Sequence, residues 1–310
     1  MIGIVKSSLP DGRNLTATQA LGAAAELGLN GLLFNSLYDL SPTLDSIEMQ
    51  AVRAEADRLG LFISASLGAL NPALPFRGAK IAEAGGGDIE AGVRRLVRLA
   101  ADIGIHDLFF VVGMIEERFS ETVTWQAQRD AVAALILRIA PMLRERSSKL
   151  LIKTHEEITT GEIVALVGKV GPDLLGVAYD PVNVVCRLEN PVAAAKRVAP
   201  FAAQVHVDDA IVRFQEGGIR RFLAPFGEGF IDWDAIFPLM PDANVWIEMH
   251  SGQFAMPVFD PAWLRSQPGI ALDEYASVLA MAVKFGSREV PWDQARPADR
   301  LSRAYKRLLK

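Results

Sequence analysis

The stretch Gly176-Val-Ala-Tyr-Asp-Pro-Val-Asn183 shows the unit that repeats along this chain, a short apolar run that ends directly in polar residues. A continuous apolar run, as opposed to an alternating one, is typical of a strand in a parallel sheet that is covered on both faces. Similar runs recur from the first residues onward and give eight predicted strands. They are Ile2–Val5, Gly31–Phe34, Leu61–Ser64, Leu108–Val112, Leu150–Lys153, Gly176–Tyr179, Gln204–Val207 and Val245–Glu248.

Between these runs lie Ala- and Leu-rich stretches with helical spacing, and a glycine follows several of them where the chain turns into the next strand. The predicted helices are Thr16–Leu27, Asp45–Leu59, Ile89–Ile103, Gln126–Arg144, Glu162–Val170, Pro191–Val198 and Asp232–Met240, with a further helix around Leu272–Phe285. Regular alternation of strand and helix predicts an α/β fold with a parallel sheet, and eight units close a TIM barrel. The rival, an open doubly wound sheet, loses its best evidence because the first strand-to-helix loop contains no GxGxxG motif. We therefore predict a single (β/α)8 barrel over residues 1–250, with a loop-helix extension over 251–310 that packs on it within the same domain.

Composition restricts the class of protein. The chain has 310 residues, of which 50% are hydrophobic and 22% charged, and this balance excludes disorder as the main state. A formal net charge of −5 argues against a surface that binds nucleic acid or an anionic membrane. Cys186 is the single cysteine, so any metal ion must be bound by histidines and carboxylates. Because no signal peptide and no apolar run of about 20 residues is found, we expect a cytoplasmic protein.

Ionisable residues cluster at the ends of the last four predicted strands, where a TIM barrel has its active site. The strand ends read Lys153-Thr-His155-Glu-Glu157, Asp180-Pro-Val-Asn183, His206-Val-Asp-Asp209 and Glu248-Met-His250. Each piece alone has an ordinary structural explanation, such as a turn or a core histidine. Together, carboxylates and imidazoles that converge on one rim match the ligands of a divalent metal ion.

These segments resemble the sugar phosphate isomerase/epimerase-like family of the xylose isomerase-like TIM barrels. The resemblance covers most of the chain and is based on the runs at 176–183, 205–209, 227–233 and 246–250. It implies a sugar or polyol substrate that chelates a divalent metal, with Mn²⁺ favoured over Mg²⁺, Co²⁺ or Zn²⁺. The implied ligands are an acidic residue of strand five, Asp180, His206 and Glu248. A homo-oligomer or a complex with a small partner subunit is expected as well.

Strand five departs from the family's pattern, because epimerase members usually carry a glutamate where this chain has Lys153. If the strand stays extended, alternation places Lys153, His155 and Glu157 on one side. Glu157 then becomes the predicted fourth metal ligand, with Glu156 as the alternative. The opposing interpretation is that the metal is lost and that Lys153 pairs with a carboxylate, either Glu248 or Asp180.

A metal ion bound by the hydroxyl and carbonyl oxygens of a substrate stabilises an enediolate. A base with a pKa near 7 then removes the proton from the carbon between these two groups. The predicted catalytic residues are His155 as base, Glu248 as ligand and second proton carrier, and Lys153. Return of the proton gives epimerisation or isomerisation, while loss of a β-substituent gives a lyase, for example on a 3-oxo-glycoside. The residues predicted to bind the substrate are Asn183, Arg213, Arg221 and His250.

Two other functions compete with this enzyme. A non-catalytic binding or partner subunit on the same fold is favoured by Lys153. A metal-dependent endonuclease is disfavoured, because it needs more metal ligands and a basic face for DNA than a chain with four histidines and a net charge of −5 provides.

Overall fold

The computed structural model describes residues 1–249, 252–267 and 269–287, together with 301, 304 and 308. Within them the chain forms β1 (Ile2–Val5), β2 (Gly31–Phe34), β3 (Phe62–Ala69), β4 (Asp107–Val111), β5 (Lys149–Lys153), β6 (Leu175–Tyr179), β7 (Ala202–Val207), β8 (Asp209–Gln215), β9 (Gly218–Ala224), β10 (Asn244–Ile247) and β11 (Gln253–Met256). Eight of these strands close a parallel barrel in the order β1-β10-β7-β6-β5-β4-β3-β2. The predicted TIM barrel is confirmed, and each of its strands overlaps a predicted apolar run.

The helices lie between the strands, as predicted from their periodicity. They are α1 (Ala17–Glu26), α2 (Ser46–Arg58), α3 (Ala79–Ala84), α4 (Ile89–Asp102), α5 (Ile115–Arg118), α6 (Trp125–Glu145), α7 (Thr160–Val170), α8 (Pro181–Val184), α9 (Pro191–Val198), α10 (Trp233–Ile236), α11 (Pro261–Arg265) and α12 (Leu272–Phe285). The short helices α3, α5, α8 and α11 were not predicted, because four to six residues are too few to show a helical period. No helix in the described part of the chain is both long and apolar enough to cross a bilayer.

Several helices begin at a side chain that caps their first turn. Thr16 accepts a hydrogen bond from the backbone N–H of Gln19, whose side chain bonds back to the backbone of Thr16. The same reciprocal arrangement joins Thr159 and Glu162 at the start of α7. Such capping satisfies N–H groups that have no partner within the helix, and it starts the helix at a defined residue.

The interior of the barrel is filled by two aromatic rings, Trp246 of β10 and Phe62 of β3, whose centroids are 4.8 Å apart. Glycines on neighbouring strands make room for them. A Cβ atom at Gly3 would lie 2.4 Å from the Trp246 ring, and one at Gly31 would lie 2.5 Å from the Phe62 ring. The two strands therefore carry glycine where the aromatic rings need the space.

The segment after β7 differs from the prediction, which treated it as a loop. Strands β8 and β9 form an antiparallel hairpin, and β11 pairs with β9 to extend it to three strands. The turn contains Gly217 with a positive φ of 80°, a conformation that glycine adopts without steric cost. The hairpin begins two residues after β7 ends, so it stands directly over the carboxyl end of the barrel.

The carboxylate of Asp209 ties this hairpin to the chain segment that follows it. Its oxygens accept hydrogen bonds from the backbone N–H groups of Ala210 at 2.8 Å, Gly227 at 2.9 Å and Ile231 at 3.2 Å. The side chain is completely buried. One carboxylate therefore satisfies three backbone donors that would otherwise be buried without an acceptor.

We expect Asp209→Asn to lower the free energy of unfolding by about 1–3 kcal/mol, because an amide NH₂ would replace one acceptor oxygen and face a backbone N–H. Urea denaturation measures the change. The matched control is Asp232→Asn, because Asp232 caps α10 at the surface and asparagine caps a helix as well as aspartate does. Equal stability of the two variants would contradict this account of Asp209.

Candidate active site

Four predicted site residues meet at the carboxyl end of the barrel, and we call them the ion cluster. They are Lys153 at the end of β5, Asp180 after β6, His206 in β7 and Glu248 after β10. Their side chains are 6%, 0%, 0% and 20% exposed, respectively. Charged groups with so little access to water need partners of opposite charge or hydrogen bonds.

The ammonium of Lys153 lies between the two carboxylates of the ion cluster. Its Nζ donates to Glu248 Oε2 at 2.5 Å and is 3.2 Å from Asp180 Oδ2. Burial alone would lower the pKa of Lys153, but the two carboxylates outweigh it and raise the pKa above its usual value. Lys153 is therefore a fixed positive charge in this site.

His206 shares the same carboxylate oxygen. Its Nδ1 is 2.6 Å from Glu248 Oε2, whereas its buried Nε2 has no hydrogen-bond partner among the described residues. Burial and the neighbouring Lys153 ammonium lower the pKa of His206, against the attraction of Glu248. A neutral imidazole that donates its Nδ1 proton to Glu248 keeps the lone pair of Nε2 available as a base.

A chain of hydrogen bonds holds Asp180 in place. Asn183 Nδ2 donates to Asp180 Oδ2 at 2.8 Å, and Arg221 Nη1 donates to Asn183 Oδ1 at 2.9 Å. Thr154 Oγ1 accepts from the backbone N–H of Asp180 at 2.6 Å. Asn183 and Arg221, predicted to bind the substrate, thus lie where they orient the Asp180 carboxylate.

His155 and Glu157 form a separate pair beside the ion cluster. Strand β5 ends at Lys153, so the extension on which their predicted placement depended does not continue. Glu157 is completely buried, and its Oε2 is 2.6 Å from His155 Nδ1. Its Oε1 accepts from the backbone N–H groups of Val112 and Gly113 at 3.1 Å each.

The Glu157 carboxylate is therefore directed toward the end of β4 and toward His155. Burial lowers the pKa of His155, but the Glu157 and Glu156 carboxylates outweigh it and raise that pKa. Glu156 Oε1 accepts from the backbone N–H of Ile115 at 3.3 Å. Both acidic residues considered as fourth ligand are hydrogen-bonded to the loop after β4.

Two predicted substrate-binding residues lie apart from the ion cluster or beyond the described part of the chain. The Arg213 guanidinium lies 5.8 Å from the centre of the Phe222 ring within the hairpin. His250 falls outside the described residues.

Asp208 is a buried acid that we did not single out from the sequence. Its side chain is 2% exposed, and its backbone neighbour Asp209 donates an N–H to its Oδ1 at 2.9 Å. Burial, together with the nearby Asp180 and Glu248 carboxylates, raises the pKa of Asp208 well above its usual value. Asp208 is thus a buried acid with a raised pKa next to the ion cluster, and the only sequence signal for it is the doubled aspartate after β7.

The residues of the site do not fit a divalent metal ion. Among the described residues, no three His, Cys, Asp or Glu side chains are arranged to hold one. The Lys153 ammonium stands between Asp180 and Glu248, where a cation would have to bridge them. Glu157, the predicted fourth ligand, is bound to backbone N–H groups and His155.

The family assignment agrees with this barrel. A profile described as xylose isomerase-like TIM barrel matches residues 21–266. The chain belongs to the xylose isomerase-like TIM barrel family. One similar sequence is the 3-oxo-isoapionate decarboxylase of Pectobacterium atrosepticum, which is 27% identical over 128 residues. The aligned segment covers 39% of this chain and 46% of that enzyme, so the chain spans less than half the length of the curated relatives it matches.

Solved structures of the same fold include other xylose isomerase-like barrels. A D-psicose 3-epimerase, crystallised in the presence of D-fructose, gives a TM-score of 0.66 at 16% identity, over 99% of this chain and 96% of that one. The IolI protein with a bound zinc atom gives a TM-score of 0.58 at 14% identity, over 93% of this chain and 99% of that one. At these identities the likeness shows the shared fold.

We expect Lys153→Met to lower the free energy of unfolding by about 3–5 kcal/mol, because it leaves two carboxylates of the ion cluster without their cation. Chemical denaturation at pH 7 measures the loss. The control is Lys149→Met, the same substitution at the start of β5, at the opposite end of the barrel. A similar small loss in both variants would show that Lys153 does not balance the carboxylates.

Cys186 is expected to be inert toward alkylating reagents. The thiol is completely buried, and burial raises its pKa to about 11, so roughly one thiol in a thousand is ionised at pH 8. Mass spectrometry after iodoacetamide treatment at pH 8 should find native protein unmodified and urea-unfolded protein modified. Equal modification rates in the two states would contradict the burial of Cys186.

Proposed function

We propose that this chain is an enzyme that forms an enolate next to the carbonyl group of an oxidised sugar, such as a keto-sugar, a 3-oxo-glycoside or a 3-oxo sugar acid. The observation that supports this most directly is that Lys153 and His206 contact the same Glu248 oxygen, while the buried Nε2 of His206 has no hydrogen-bond partner among the described residues. A fixed cation stabilises the negative charge that develops on a carbonyl oxygen, and a neutral imidazole exchanges a proton with the adjacent carbon.

In this proposal the substrate's carbonyl oxygen accepts a hydrogen bond from Lys153, and His206 Nε2 removes the proton from the neighbouring carbon. Glu248 already accepts hydrogen bonds from both residues. It therefore stabilises the imidazolium that forms on His206 and does not need to move. Asp208, whose pKa burial raises, is the proposed proton donor close to the same groups. The three side chains thus provide an oxyanion partner, a base and an acid.

Three reactions pass through such an enolate. Return of the proton to carbon gives epimerisation or isomerisation, and departure of a β-substituent gives elimination. The related decarboxylase from Pectobacterium points to a third, because loss of CO₂ from a 3-oxo acid leaves its electron pair in the same kind of enolate. That enolate then takes one proton to give the ketone. All three outcomes need the same stabilised oxygen anion.

A non-catalytic binding or partner subunit is the second candidate function. The observation that favours it is the ion pairing of Lys153 with both carboxylates, which already engages the ammonium within the ion cluster. Such a subunit would bind an oxidised sugar but would neither exchange its protons nor release CO₂.

The experiment is to incubate the protein in D₂O with ketoses, 3-oxo-glycosides and 3-oxo sugar acids. Nuclear magnetic resonance then detects deuterium next to the carbonyl and, for the acids, the decarboxylated ketone. We expect turnover of at least one of these classes, and a reduction of about 10²–10⁴-fold in His206→Asn, the range typical of a lost general base.

The control for this experiment is His106→Asn. His106 is exposed, and its Nδ1 contacts the backbone carbonyl of Arg146 on the amino-terminal side of β4, far from the ion cluster. His106→Asn should keep the wild-type rate. Undiminished turnover in His206→Asn would remove His206 from the mechanism. Binding of a ketone without exchange or CO₂ release would favour the non-catalytic subunit.

A further inference from the structure

We propose that the Lys153 ammonium is the permanent cation of this site and takes the place of a bound metal ion, so that this xylose isomerase-like barrel works without one. The inference rests on the proposed function for its activity test, whereas its metal-binding test stands on the geometry alone. Four observations on the ion cluster and its surroundings support it.

The position of Lys153 is the first observation. Its Nζ is within hydrogen-bonding distance of Glu248 Oε2 at 2.5 Å and Asp180 Oδ2 at 3.2 Å, and it is the cation that bridges the two carboxylates. A divalent ion placed between the same oxygens would have to displace the ammonium or lie against it. Two cations a few ångströms apart in a buried site repel each other strongly.

The second observation is that strand pairing and burial fix the Lys153 side chain in this position. Lys153 is the last residue of β5, it pairs in register with Ala178 of β6, and its side chain is 6% exposed. The Nζ also lies 5.7 Å from the centre of the Phe109 ring. Because strand pairing fixes the backbone and the barrel wall surrounds the side chain, moving the ammonium out would leave both carboxylates buried without a counter-charge.

At least three of the four carboxylate oxygens of Asp180 and Glu248 already accept hydrogen bonds, which is the third observation. Glu248 Oε2 accepts from both Lys153 and His206, and Asp180 Oδ2 accepts from Asn183. The other Asp180 oxygen, Oδ1, accepts from the backbone N–H of Val182 at 3.3 Å. Metal ligands must present unprotonated lone pairs to the ion, and here hydrogen-bond donors occupy them.

The fourth observation concerns the missing carboxylate. A metal site built on Asp180, His206 and Glu248 needs further oxygen ligands. Glu156, in the loop after β5, accepts from the backbone N–H of Ile115, and the other acidic residue there is Glu157. Its Oε1 accepts two backbone N–H groups and its Oε2 contacts His155. Turning Glu157 inward would leave those buried donors without an acceptor.

The ammonium also fits the chemistry that a metal would serve. A lysine ammonium has three N–H donors, and the carboxylates of Glu248 and Asp180 take two of them. The third is left for the oxygen anion of the substrate. Unlike a metal ion it offers one donor to that oxygen and does not chelate two oxygens, so a substrate needs only the carbonyl and no neighbouring hydroxyl.

The binding test uses MnCl₂ and ZnCl₂ on full-length protein dialysed against chelator, followed by calorimetry and, for Mn²⁺, electron paramagnetic resonance. Wild type should show no stoichiometric site. Lys153→Glu removes the cation and adds a carboxylate, so it should acquire one Mn²⁺ or Zn²⁺ per chain, at least tenfold tighter than any wild-type binding. Lys153→Glu combined with His206→Ala should lose that site again.

The control is Lys149→Glu, which makes the same charge change at the opposite end of β5 and should gain no site. If Lys153→Glu does not fold, the wild-type titration alone decides. One equivalent of metal bound tightly by wild type and lost in His206→Ala would overturn the inference, and so would turnover that needs added metal.

The activity test separates this inference from the proposed function. Turnover that survives chelator dialysis and is unchanged by MnCl₂ supports both. A wild type that binds no metal and turns over none of the substrates contradicts the proposed function and leaves the metal-free site standing. Turnover that is abolished by chelator and restored by metal supports the function and overturns the inference.

Discussion

Carboxylates that are removed from water need a positive partner, and the carboxyl end of this barrel provides one. Asp180 and Glu248 share the ammonium of Lys153 at 3.2 Å and 2.5 Å, while burial and these neighbouring carboxylates raise the pKa of Asp208. Without Lys153 the ion cluster would hold two buried carboxylates with no cation between them. The position of His206 follows from the same constraint, because its Nδ1 is fixed by the carboxylate that the lysine also binds.

The surrounding elements hold the ion cluster in one arrangement. Asp180 donates its backbone N–H to Thr154 and accepts a side-chain hydrogen bond from Asn183, and Arg221 reaches Asn183 from the hairpin that follows β7. The hairpin is in turn tied to the chain after it by Asp209. A site whose donors and acceptors are fixed beforehand needs little reorganisation when charge moves during a reaction.

The barrel could be predicted from sequence because its evidence is local. Each strand is a continuous apolar run, and the polar residues at the ends of β5, β6, β7 and β10 include the four side chains of the ion cluster. The hairpin was missed because Arg213, Arg220 and Arg221 make its two strands look like a polar loop. The direction of Glu157 was beyond prediction as well, since it depends on where β5 ends and on two backbone N–H groups that precede it by more than 40 residues. The raised pKa of Asp208 depends on burial, which no short motif encodes.

Trp246 and Phe62, which pack against Gly3 and Gly31, determine from which side a ligand reaches the ion cluster. The aromatic pair closes the barrel beneath the ion cluster, with Trp246 completely buried, and separates it from a polar cavity of about 260 Å³ at the amino-terminal end that is lined by residues such as Ser64, Asp107 and Gln204. The ion cluster lies on the other side of this aromatic pair from the cavity, so the proposed substrate and product exchange at the carboxyl-terminal side of the barrel.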